Sequence, residues 1–228
     1  MKFKSKLCGI TCAEDLQIAI DFGFSAVGMI HYESSPRHLS ITEMIDLRKI
    51  ISSSVQLFIV LVDEPLDSVL QMYTQIKPDV IQLHGGEDAA YIDALRSELG
   101  SNSVYIVKAI RVGNRDLSIA CDSLNDYVDC FLFDTYRKGR PGGTGETFNW
   151  NQLASLSPSK PYILSGGLSA SNITALVNAA TQWKQMPIGL DYNSGLEKSP
   201  GRKCSKKISE LIHEMNRLGV NDEGAILA

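Results

Sequence analysis

Eight short apolar runs, each followed by a stretch of different periodicity, restrict the fold of this 228-residue chain more than any other feature. The runs are residues 6–10, 26–30, 57–62, 80–83, 105–110, 130–133, 162–164 and 188–190. Each is too short for a helix and too apolar for an exposed loop, so each reads as a strand buried on both faces. Between them, residues 14–22, 42–51, 66–76, 89–99, 171–180 and 206–218 repeat their apolar positions with helical period. Strict strand–helix alternation with eight strands points to a single (β/α)8 TIM barrel. An open sheet with fewer strands is the alternative.

Local signals agree with this division. Ser40 and Glu43 have capping-box spacing, Pro65 stands just ahead of a helix, and Gly23, Gly100 and Gly219 follow helices as C′ residues do. No linker or repeat interrupts the pattern. Residues 1–218 are therefore expected to form one barrel domain, with 219–228 as a loosely attached C-terminal tail.

With 44% apolar residues the chain can bury a full core. A net charge of −4 provides no footprint for nucleic acid, so an anionic ligand must be held locally. No apolar stretch is long enough for a signal sequence or a membrane span, and a cytoplasmic location is expected. The five cysteines are odd in number and lack a C-x-x-C pair, which argues against a disulfide framework and a zinc knuckle.

In a barrel, polar residues at the carboxyl ends of the strands gather at one mouth. Here they are Cys8, Thr11, His31, Asp63, His84, Arg111, Asp134, Ser165, Asp191 and Asn193. Asp134 ends the sixth run and is followed by a glycine-rich segment, 135–147, that has the composition of a flap; from the residues alone it is either an active-site acid or a turn residue. Cys8 is either a buried small hydrophobe or, beside Gly9, an accessible thiol. A thiol facing a carboxyl group can serve as base and acid, given a lowered thiol pKa and a raised carboxyl pKa.

Two glycine-bearing turns, Ser165-Gly166-Gly167 and Asn193-Ser194-Gly195, follow runs seven and eight, where barrels commonly hold a phosphate. Each is also an ordinary turn sequence. The segment GGTGET lacks the lysine of a nucleotide-binding P-loop. Arg37 is either a surface charge or a fork for a substrate carboxylate. His31 and His84 lie near the mouth, but the carboxylates show no metal-ligand spacing, and no metal is expected.

The motifs KLCGIT (6–11), SPR (35–37), QLHG (82–85), KAIR (108–111), FDTYRKGRPGGTGETFNW (133–150), SGGL (165–168) and LDYNSGLEKSPGRK (190–203) together resemble the phosphoribosylanthranilate isomerase family. The resemblance implies a cofactor-free Amadori rearrangement in tryptophan biosynthesis, converting a phosphorylated aminoaldose to its aminoketose. It implies Asp134 as the general acid, Cys8 as the general base and Arg37 as the ligand of the anthranilate carboxylate. Backbone amides around Gly166, Gly167, Ser194 and Gly195, next to Asn193, would hold the phosphate. Partners would be a small phosphorylated substrate and, at most, a second copy in a homodimer.

Several positions depart from the family pattern. His31 replaces an aromatic or aliphatic residue, residues 60–64 lack the usual glycine and asparagine, and Cys204 stands where an Asp often caps the last helix. Losing that cap costs about 1 kcal/mol unless Ser205 replaces it. Two other readings compete. A bifunctional isomerase that also takes the histidine-pathway aminoaldose would have Asp in place of Cys8, and a non-catalytic phosphate binder would need neither Cys8 nor Asp134.

Overall fold

The computed structural model describes residues 3–100, 104–113, 116–134, 151–220 and 225–227. Strands β1 (Lys4–Cys8), β2 (Ala26–His31), β3 (Gln56–Leu61), β4 (Val80–Leu83), β5 (Tyr105–Arg111), β6 (Cys130–Asp134), β7 (Tyr162–Ser165) and β8 (Gly189–Tyr192) pair in sequence order. All pairs are parallel, and β8 closes on β1 with Lys6 opposite Asp191. The expected barrel is therefore the observed fold.

Alternation along the strands sends side chains to two separate cores. Outward residues such as Leu7, Val27, Ile59, Phe131, Phe133 and Leu190 form one continuous layer with the helices. Inward residues, among them Ala26, Phe58, Val80, Val107, Cys130, Leu132 and Ile163, fill the barrel. Both faces are buried, which is why the sequence shows unbroken apolar runs instead of alternation. On β6 the inward set is Cys130, Leu132 and Asp134, so the acid continues the interior stripe to its end.

The outer ring comprises α1 (Ala13–Asp21), α2 (Ile41–Arg48), α3 (Leu66–Ile76), α4 (Ala89–Leu99), α5 (Leu117–Asp122), α6 (Asn151–Ala154), α7 (Ala170–Ala180) and α8 (Ser205–Arg217). Ser40 and Glu43 make the expected capping box on α2. Cys204 is the N-cap of α8 and makes no side-chain cap bond, and Ser205 is already inside the helix.

Two features differ from expectation. After β8 comes a short 3-10 turn (Ser194–Leu196) and then an antiparallel hairpin, β9 (Glu197–Ser199) and β10 (Arg202–Lys203), which no periodicity announces. The end of the tail is not loose. Ile226 and Leu227 are buried against the inward residues at the amino ends of the strands. The Gln56 carboxamide accepts from the Ile226 and Leu227 amides at 2.7 and 3.1 Å and donates to the Leu227 carbonyl at 2.7 Å, while Lys4 donates to the Ala225 carbonyl. The polar residues 221–223 conceal this apolar plug from a compositional reading.

Candidate active site

A chain of polar side chains runs around the inner wall just below the mouth. Lys6 Nζ forms an ion pair with Asp191 at 3.0 Å, donates to Gln82 Oε1 at 3.0 Å and lies 5.0 Å above the Phe58 ring. With its oxygen engaged by Lys6, Gln82 presents Nε2 to His84 Nδ1 at 3.1 Å. His84 Nδ1 is then an acceptor, so Nε2 carries the proton and points at Asp134 Oδ2, 3.4 Å away. Strands β8, β1, β4 and β6 are thereby joined through Asp191, Lys6, Gln82, His84 and Asp134.

Cys8 ends β1 two residues beyond Lys6 and faces the same interior. Burial pushes its thiol above the ordinary range, against the pull of the Lys6 and Lys203 ammonium groups. The resting thiol therefore lacks the lowered pKa that would make it a ready base. Burial alone would lower Lys6, but Asp191 and Cys8 together outweigh it and Lys6 sits above its usual value. Asp191 is raised by burial, opposed by Lys6, and its surroundings include Asp134 and His84. One carboxylate thus lies within electrostatic reach of both Cys8 and Asp134.

Arg37 comes from the loop after β2. That loop is pinned where the Leu39 amide donates to the Ile30 carbonyl and where His31 Nδ1 meets the Leu39 carbonyl at 2.8 Å. His31 also packs its ring against His38. The Arg37 guanidinium grips Glu197 with two hydrogen bonds, Nε at 2.8 Å and Nη2 at 2.6 Å. Lys203, on the opposite strand of the hairpin, donates to Glu197 Oε1 and Asn193 Oδ1 at 3.0 Å each, and to the Cys8 carbonyl.

The two glycine turns meet. Asn172 Nδ2 donates to the Gly167 carbonyl at 2.9 Å and holds the turn after β7 against the start of α7. A Cβ on Gly195 would stand 2.2 Å from the Leu168 carbonyl oxygen, so only glycine lets the turn after β8 come this close. The turns that carry Gly166, Gly167, Asn193, Ser194 and Gly195 therefore lie side by side at the β7–β8 side of the mouth.

Of the other strand-end residues, Arg111 is exposed and Thr11 Oγ1 donates to the Gly201 carbonyl at 2.5 Å. Asp63 accepts from the Gly86 amide at 2.6 Å, tying the loops after β3 and β4. The glycine-rich segment 135–147 lies outside the described residues. Sequence reasoning missed Lys6, Gln82, Glu197 and Lys203, although each sits in a motif of the resemblance. Buried charge within an apolar run was the available signal for Lys6. Among the described residues no group of three or more His, Cys, Asp or Glu could hold a metal ion, and no helix is long and apolar enough to cross a membrane.

A closed parallel barrel with a thiol, paired charges and two joined glycine turns at the carboxyl ends of its strands defines a (β/α)8-barrel enzyme. A family model described as N-(5'phosphoribosyl)anthranilate (PRA) isomerase matches residues 5–214. The chain belongs to this family of aldose–ketose isomerases of tryptophan biosynthesis. The N-(5'-phosphoribosyl)anthranilate isomerase of Pelobacter propionicus is 34% identical over 210 residues, 92% of this chain and 93% of the relative. The phosphoribosyl anthranilate isomerase structure from Thermotoga maritima superposes with a TM-score of 0.79 at 25% identity, covering 94% of this chain and 99% of that one. Another isomerase structure, in complex with reduced 1-(o-carboxyphenylamino)-1-deoxyribulose 5-phosphate, has a TM-score of 0.74 at 24% identity, covering 94% of this chain and 99% of that one.

Proposed function

We propose that this chain carries out the isomerisation of N-(5'-phosphoribosyl)anthranilate by general acid–base catalysis, with Asp134 as the acid and Cys8 as the base. Asp134 protonates the furanose ring oxygen as the C1–O bond breaks, and the nitrogen lone pair forms a Schiff base at C1. Cys8 then removes the C2 proton, the C2–H electrons move toward the iminium nitrogen, and the resulting enolamine tautomerises to the ketone. No cofactor enters this sequence.

The observation that carries the reading is the shared mouth: Cys8 and Asp134 end two barrel strands, and Asp191 lies near both. At rest, burial favours the neutral thiol. Charge that develops on its sulfur meets the Lys6 and Lys203 ammonium groups, which lowers the cost of reaching the thiolate. The ligand in the 24%-identical neighbour carries an aromatic carboxylate at one end and a phosphate at the other. Arg37 and the paired turns around Gly166, Gly167 and 193–195 offer matching groups. Holding both ends fixes C2 between acid and base.

The test follows loss of anthranilate-type fluorescence on substrate generated in situ. Cys8→Ala and Asp134→Asn are each expected to reduce kcat by roughly 100- to 10,000-fold or more, the range for a positioned proton-transfer group. Binding of a phosphate-bearing product analogue should persist in both. Near wild-type turnover in either variant would remove that residue from its role.

A further inference from the structure

Lys203 and Glu197 stand outside the eight strands, on the hairpin after β8, yet they join Arg37, the backbone of Cys8 and the turn after β8. The buried Lys203 ammonium has three acceptors, each from a different source. They are the Cys8 carbonyl at the end of β1, Asn193 Oδ1 at the turn after β8, and Glu197 Oε1. Glu197 passes the connection on to the Nε–Nη2 edge of Arg37. Gly9 completes the assembly. A Cβ there would fall 2.6 Å from Arg37 Cδ and 2.7 Å from Asn193 Oδ1, so the bare backbone beside Cys8 is where these two side chains converge.

We propose that Glu197 and Lys203 are positioning residues that fix the distance between the carboxylate-binding arginine and the phosphate-binding turn, measured across the backbone of Cys8. The proposal rests on the reading that Arg37 takes the anthranilate carboxylate and residues 193–195 take part of the phosphate. A lysine head donates in three directions and can tie three elements at once. A bidentate carboxylate sets the plane of a guanidinium, which a single bond does not. Glu197 therefore acts on one end of the substrate through Arg37. Lys203 acts on both ends, through Glu197 and through Asn193.

Competitive inhibition by two half-substrates separates these roles: anthranilate for one end, ribose 5-phosphate for the other. Glu197→Gln keeps the shape of the side chain but loses the charge and one acceptor. It is expected to raise the anthranilate inhibition constant about tenfold while changing that of ribose 5-phosphate less than about twofold. Lys203→Met should raise both constants and KM by about tenfold or more, with Lys203→Arg restoring part of the loss. A buried lysine can be needed for folding, so Glu197→Gln carries the decision if Lys203→Met is not recovered folded. Equal loss of both inhibitors in Glu197→Gln, or no loss of either, would overturn the proposal. Arg37→Met is the control for the underlying reading. If it leaves anthranilate inhibition unchanged, the assignment of Arg37 fails, independently of the hairpin.

Discussion

The two ends of the barrel use polar side chains in opposite ways. At the amino ends of the strands, Lys4 and Gln56 spend their hydrogen bonds on the main chain of residues 225–227, and Ile226 and Leu227 close the interior. At the carboxyl ends, Lys6, Asp191, His84 and Asp134 meet one another, as charged or titratable side chains. Main-chain partners neither titrate nor move a proton, so the first arrangement can only hold the structure together. Paired charges in a buried wall cost desolvation, and replacing such a pair by apolar groups is often neutral or stabilising. The mouth therefore sets buried charges against one another, whereas Lys4 and Gln56 at the floor bond to main-chain groups of residues 225–227, in keeping with chemistry concentrated at one face of a barrel.

The contrast is broken most forcefully at Lys6. Lys6→Met leaves the buried Asp191 without its ion-pair partner and is expected to cost about 3–5 kcal/mol of stability, with loss of turnover. Lys6→Met with Asp191→Leu removes both charges and should regain most of the stability but none of the activity. Urea unfolding and the fluorescence assay on the same samples check this. A double variant as unstable as the single one would mean that the pair serves the fold rather than the site.

Deleting residues 225–228 probes the other end. Burial of Ile226 and Leu227 contributes about 1.5–3 kcal/mol each, as an upper range, and the Gln56 bonds are lost with them. The truncated chain should unfold at lower denaturant with an unchanged kcat. A fall in kcat comparable to that of Cys8→Ala would show that floor and mouth are not separable.

How far each end could be read from sequence follows the same division. The helices at 66–76 and 89–99 coincide with their periodic segments, because apolar spacing and flanking signals agree there. Strand ends were placed less well. β1 begins at Lys4, two residues ahead of its apolar run, since its first two residues, Lys4 and Ser5, are polar. β6, β7 and β8 run on through Asp134, Ser165 and Asp191, where polarity suggested that the strand had stopped. Polar residues at strand ends were legible as a set, which is why Cys8, Asp134 and the two glycine turns could be named. Glu197 and Lys203 could not, because a short hairpin whose pairing shifts register between Arg202 and Lys203 leaves no periodic trace.

A smaller effect comes from the acid limb of stability. Burial alone would raise the Glu197 carboxyl, but Arg37 and Lys203 override it and hold the group below its ordinary value. A carboxylate depressed in the folded state stabilises it above the unfolded value of about 4.3, and that contribution fades as pH falls through the folded value. Glu197→Gln should therefore be less stable than the parent chain at pH 7, with the gap narrowing near pH 3.5. Urea midpoints at the two pH values measure it. A gap independent of pH would locate the contribution of Glu197 in packing instead of charge.

The least expected change tests the outer ring, away from both ends. Cys204 occupies the N-cap of α8 in extended conformation and leaves the first-turn amides without a side-chain acceptor. A thiol is a weak acceptor, whereas a serine hydroxyl in the same place can take a hydrogen bond from the second or third amide of the helix. Cys204→Ser should raise stability by about 1 kcal/mol, seen as a higher urea midpoint at unchanged slope. Because the next residue back is Lys203, the same variant also asks whether the hairpin hub is indifferent to the helix that follows it. Unchanged KM alongside the gain in stability would separate the two, and a shift in KM would mean that α8 and the Lys203 hub move as one unit.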